Sequence, residues 1–346
     1  MSQTYIDWDV ARKTGHRIAS DGPKTSVANA RVVVEELRSA AERAHQPVAD
    51  TARLNPGSTQ TPVHVVDRTT WIDVNAGSMG ALVQPAVERI TAQRLAGPRV
   101  RAVGAKIAGA EVGALLGYVS SKVLGQFDLA PEGQPSLMLV APNIVKVERE
   151  LGVDPHDFRL WVCLHEETHR VQFTAVPWLR EHVITSAREL MIDLVPDPEQ
   201  LPERMQQVVA RLPEVVRGGG GGLTDLFTTP EQRAEVAKVT AVMSLLEGHA
   251  DVVMDEVGPQ IVPSVADIRK KFDARRAGGF GPDRLLRRLL GLEAKMRQYR
   301  DGAIFVRTVI DQVGLDGFNT VWTSPETLPL PTEIADPPAW VARVHG

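Results

Sequence analysis

The stretch from Thr229 to Pro259 limits the fold more than any other. Thr229 can cap a helix, Pro230 suits the first turn, and Gln232 completes a capping box. Val239, Met243, Leu246, Ala250 and Met254 or Val257 then recur at helical spacing until Gly258-Pro259 marks a stop. The same signals appear elsewhere. Ser26 caps an amphipathic run, and Asp154-Pro155 opens a helix that should run to near Pro177, with another over roughly 178–195. Helices are also expected over 77–96 and 102–125, and a helix pair hinged near Asp301-Gly302 in the last third. Strand signals are few: His64 to Asp67, and the apolar run Leu137 to Val140. The expected class is therefore mainly α (α+β with a few short strands). A helical N-terminal region would span 1–130, and a second region 131–346 would include the flexible Gly-rich loop 217–222.

Composition narrows the function. Of the 346 residues 43% are hydrophobic, enough for a sizeable core. The net charge of −4 lacks the basic excess of a nucleic-acid binder. The single cysteine, Cys163, excludes an intrachain disulfide and fits a reducing cytoplasm. Cytoplasmic location is the expectation, with neither a nucleic-acid nor a membrane partner. The N-terminus carries Asp7 and Asp9 where a signal peptide would be apolar. Lys106, Glu111 and Lys122 interrupt the 102–125 segment, which reads as a buried helix rather than a membrane span. Its Gly109, Gly113 and Gly117 form a stripe that would let another helix approach closely. Their spacing matches neither a Walker A loop nor a dinucleotide-binding fingerprint.

The chemistry concentrates in "WVCLHEETHRVQF", Trp161 to Phe173. Residues four apart share one helix face, so His165 and His169 can offer two imidazoles to one ion. Glu166 lies one step round, placed to reach a water without ligating the metal. This H-E-x-x-H arrangement suits tetrahedral zinc. The plainer alternative is a pair of surface histidines beside an Arg170 ion pair with Glu166 or Glu167. A working site needs a third ligand. Gln172 and Ala175 stand where a metzincin would need glycine and histidine. A gluzincin instead takes a glutamate from a second helix within E-x-x-x-D, and Glu247-Gly248-His249-Ala250-Asp251 supplies that pattern. Glu247 flanks an apolar stripe, a costly place for a carboxylate with no partner. Asp251 could accept the second N–H of a ligating histidine. His249, Asp251, Asp255 and Glu256 remain alternatives for the third ligand.

"HEETHRVQF" with the distant "EGHADVVMD", plus "WDVARKTGHRIA" and "LLGLEAKMRQYRDGAIFV", resembles the zincin-like metallopeptidase type 2 family. These are largely uncharacterised bacterial proteins regarded as hydrolases. The branch most similar is associated with biosynthesis of a deazaflavin coenzyme. The resemblance, from about Trp8 to Trp340, implies a zincin-type site at His165, Glu166 and His169 in a mainly helical fold. Charged Glu167 and Arg170 depart from the usual peptidase pattern. They imply a hydrated or ion-paired helix face, less buried than in other zincins.

The expected activity is zinc-dependent hydrolysis of a peptide or amide, with Glu166 as general base. Tyr299, one turn after Lys295, is a candidate oxyanion donor; alternatively it continues the stripe Leu289, Leu292, Met296. Cys163 projects away from His165 and reads as a buried small hydrophobe. "SLMLVAPN", ending at Asn143, could be the edge strand that binds extended substrate. The competing expectation is a non-catalytic zincin acting as a binding or scaffold protein.

Overall fold

The structure, a computed structural model, describes residues 5–57, 61–92, 98–194, 228–277 and 292–346. Side chains are described for the same residues except 90–92, 98–99, 276–277 and 292–299. The Gly-rich segment 217–222 lies outside them, as does the side chain of Tyr299. The chain divides into two compact units. One holds Met1–Arg180 with Val253–Arg275, the other Glu181–Val252 with Arg276–Gly346. The boundary expected near residue 130 matches neither, because a strand from before it pairs with one from after it.

That pairing builds the sheet of the first unit. β1 (Val63–Val66) runs parallel to β3 (Ser136–Val140), and β2 (Gly125–Asp128) runs antiparallel to it on the other side. β3 is fully buried and paired on both edges, so it is the central strand and cannot be the expected edge strand. β1 and β2 hold the edges. β2 itself lies where the helix over 102–125 was expected to finish. That helix, α4 (Pro98–Val119), stops six residues earlier.

Around the sheet lie α1 (Trp8–Ile18), α2 (Val27–Ala52), α3 (Arg68–Ala92), α5 (Ala141–Leu151) and α6 (Pro155–Ala175). α3 starts nine residues earlier than expected, because Asp67 caps it by accepting from Thr70 N–H at 2.7 Å. The glycine stripe of α4 meets the backbone of α1. A Cβ on Gly109 would lie 2.3 Å from the Asp7 carbonyl, and one on Gly113 2.3 Å from that of Ala11. Only that face of α4 is buried. Val100, Val103 and Ile107 are exposed, which corrects the expectation of a buried helix. By length and composition alone Val100–Val119 could cross a membrane.

α6 sits at the centre of this unit. Asp154 caps it through Asp157 N–H, and Pro155 fills its first turn. Phe158, Trp161, Val162 and Leu164 pack with Leu37, Ala41, Ala44 and Val48 of α2. Arg159 pairs with buried Glu148 of α5 at 2.6 Å and with Glu36 of α2. The Glu167 side is ion-paired as expected, but it is not the more exposed face. Glu167 is fully buried, taking Arg170 Nε at 2.8 Å and contacting His45 Nδ1 at 3.2 Å.

α8 (Pro230–Ile261) is the long helix expected from the sequence, with the Thr229–Gln232 capping box in place. It continues three residues past Gly258, through Pro259. Its last turns belong to the first unit, where Val253, Met254 and Val257 join the core of α6. α9 (Val265–Ala277) follows, and Ser264 before it donates to Asp157 at 2.6 Å.

The second unit contains α7 (Leu179–Asp193), most of α8, α10 (Leu292–Phe318) and the short helices α11 (Pro331–Ala335) and α12 (Pro337–His345). The hinge expected at Asp301-Gly302 is absent, and α10 breaks at Gly314 instead. Gly314 takes φ 74 and ψ 170, a conformation essentially reserved for glycine. Gly302 has a different role: a Cβ there would fall 1.9 Å from the Ser244 carbonyl, and one on Gly248 2.1 Å from the carbonyl carbon of Gly302. Trp340 is fully buried against Phe305 and donates to the Thr327 carbonyl at 2.8 Å.

Candidate metal centre

His165 and His169 stand one turn apart on α6. Their rings are perpendicular, with centroids 4.8 Å apart, and the two Nε2 atoms face each other at 3.2 Å. The opposite nitrogens have partners of their own. His169 Nδ1 lies 2.9 Å from Gln172 Oε1, and His165 Nδ1 lies 3.3 Å from Met254 Sδ. An amide oxygen and a thioether sulfur only accept, so both place the ring proton on Nδ1. With both rings neutral each Nε2 then presents a lone pair to the other, an arrangement that a shared proton or a metal cation between them would relieve.

The donor set fits zinc. Tetrahedral zinc with Zn–N bonds of about 2.0–2.1 Å sets its nitrogens about 3.3 Å apart, close to the 3.2 Å seen here. Among the described residues one group of three offers ligand atoms all within 4.8 Å of one another: His165, His169 and Glu247. Glu247 lies on α8 two turns before Met254, so both residues share a face of that helix. The site is not fully exposed, since all three residues are half-buried.

Glu166 is buried against the edge strand β2. A Cβ on Gly125 would come within 2.5 Å of its Cγ, 2.6 Å of its Cδ and 2.8 Å of its Oε1. Glycine is thus what leaves room for the carboxylate at this point of the strand. Sequence reasoning missed Gly125, because β2 was not foreseen. It also passed over Gln172 as an acceptor, although its position three residues after His169 was a usable signal. Met254 was read only as core.

A family model described as zincin-like metallopeptidase matches residues 6–341. The chain belongs to the zincin-like metallopeptidase family. A solved structure, that of a candidate hydrolase with a novel fold from Chloroflexus aurantiacus, is similar over 98% of this zincin-like chain and 99% of its own. It has 30% identity and a TM-score of 0.70. No curated protein matches. The comparisons reach the family, not a deazaflavin-related branch.

Other expected participants in this zincin-like protein are placed as follows. Asp251 is half-buried on α8, one turn after Glu247. His249, an alternative third ligand, is buried in an aromatic cluster, stacked on Phe318 at 5.5 Å and edge-on to Trp322 at 5.3 Å. Cys163 is fully buried. Burial first, then the charges of Glu167 and Glu166, push its thiol well above the ordinary range, so it stays protonated. His64 is exposed on β1, and exposed His156 contacts Arg43 at 3.0 Å.

Proposed function

We propose that the chain is a zinc-dependent hydrolase of gluzincin type acting on a peptide or amide bond. His165, His169 and Glu247 would hold the metal; the support expected of Asp251 for a histidine N–H comes instead from Gln172 and Met254. When bound, the ion would polarise a carbonyl and acidify a water molecule. Glu166 would take the proton from the attacking water and return it to the departing amine nitrogen. Its burial beside Gly125 limits its motion, and one carboxylate must serve both transfers from one position. The 3.2 Å approach of the two Nε2 atoms, with both Nδ1 positions facing acceptors, carries this reading. Family membership and the similarity to the candidate hydrolase support it.

The test uses purified full-length protein, zinc analysis and a mixed-peptide library read by mass spectrometry. One zinc per chain is expected, lost in His165→Ala and in Glu247→Ala. Glu166→Gln should keep the metal and lose about 10²–10⁴-fold in turnover. Cleavage undiminished in Glu166→Gln would reject it as base, and absence of zinc from protein never exposed to chelator would reject the site.

A further inference from the structure

The second unit contains a cavity of about 500 Å³ that the chemistry above does not use. Its apolar wall includes Val183 and Leu190 of α7, Val239, Val242 and Met243 of α8, and Leu328 of the segment before α11. That wall is built, not loosely laid down. Arg343 donates to the carbonyls of Leu328 at 2.9 Å and Glu326 at 2.7 Å, and Trp340 holds the carbonyl of Thr327. The lining also carries His182, Glu189 and Asp193 of α7 with Glu235 and Lys238 of α8, the last two paired at 2.7 Å, so polar groups edge the apolar wall. On α8 the lining positions are 235, 238, 239, 242 and 243, which is one helical face. The next positions of that face are Leu246 and Glu247. Glu247 therefore stands one turn, about 6 Å along the axis, beyond Met243.

We infer that this cavity receives the hydrocarbon part of the substrate, an apolar group larger than a single amino-acid side chain, with the scissile carbonyl presented at Glu247. The inference rests on the metal-site reading of Glu247. The volume falls in the range of small-molecule sites, about 300–1,000 Å³. A part-open, mostly apolar cavity of that size, lined by the same helix face that carries a candidate ligand one turn on, selects substrates by buried hydrocarbon.

The experiment titrates zinc-loaded full-length protein with straight-chain hydroxamates, from acetohydroxamate to decanohydroxamate, by calorimetry. The hydroxamate head engages the metal and the tail reports on the cavity. Affinity should rise about four-fold per methylene. Val242→Trp should abolish that dependence while acetohydroxamate, too short to reach the cavity, still binds. Leu190→Trp serves if thermal melting shows the first variant unfolded. Acetyl-Leu-Leu hydroxamate separates the sources: tighter binding than octanohydroxamate assigns consecutive apolar side chains, weaker binding an acyl chain. As a metal-independent arm, 1-octanol should bind metal-free protein and lose that binding in Val242→Trp. Octanol binding without acetohydroxamate binding supports the cavity and counts against the metal reading instead. Acetohydroxamate binding with no dependence on chain length overturns the inference.

Discussion

At Gly125 the absence of a side chain gives the Glu166 carboxylate its place. A methyl there would meet only the end of a flexible side chain, so the fold should tolerate Gly125→Ala. The carboxylate would have to move by something near an ångström, and misplacement on that scale can cost about 10²-fold in rate. The expected outcome is unchanged zinc content and melting temperature with kcat down by about that factor. A variant with normal kcat would show that the cradle does not position the base. Gln172 offers a complementary test that needs no substrate. Its amide oxygen fixes the tautomer of His169, so Gln172→Leu should weaken zinc binding about 10–100-fold. Competition with a chelating dye measures this directly, and equal affinities would remove Gln172 from the site's support.

Among the elements, α8 and α10 meet at glycines. Gly248 sits inside the Glu247–Asp251 motif, where sequence reading weighed only its charged neighbours. A Cβ on Gly302 would be placed 1.9 Å from the Ser244 carbonyl, and here the obstacle is backbone, which cannot rotate away. Gly302→Ala should therefore destabilise at or above the upper end of the usual overpacking range, about 1–3 kcal/mol. Gly77 of α3 is the control: nothing lies within 4 Å of the point a methyl there would occupy, so Gly77→Ala should stabilise by about 0.5–1 kcal/mol. Urea denaturation of the two variants beside the parent checks the opposite signs. If both shift alike, close backbone approach is not what fixes Gly302.

For the molecule as a whole, the C-terminal segment makes stability depend on pH. Glu333 is buried, which alone would raise its carboxyl. Hydrogen bonds from Arg343 and the Leu330 N–H outweigh burial and hold it below the ordinary 4.5. The unfolded chain therefore takes up the proton first as pH falls. The stabilisation is complete above pH 4.5 and is lost as pH drops through the lower folded value. Glu333→Gln should accordingly be less stable than the parent at neutral pH, and the gap should close in acid. Urea midpoints for both proteins between about pH 3 and 7 read that convergence. A gap independent of pH would assign the clamp's contribution to packing.

The sequence by itself determined whatever depends on neighbours along the chain. The helix period brought His165 and His169 to one face, the caps at Asp154 and Thr229 set helix starts, and the stripe from Gly109 to Gly117 announced a close helix contact. The pattern Glu247 to Asp251 marked Glu247 as a candidate for a third ligand from chemistry alone. Tertiary structure decided whatever depends on residues far apart in the chain. It set Gly125 against Glu166, Met254 against His165 and Gly302 against Ser244, and it made β3 central and Trp340 buried. Spacing of three or four residues is fixed by backbone geometry common to all helices. Which distant segment fills the space beside a side chain is fixed only when the whole core packs.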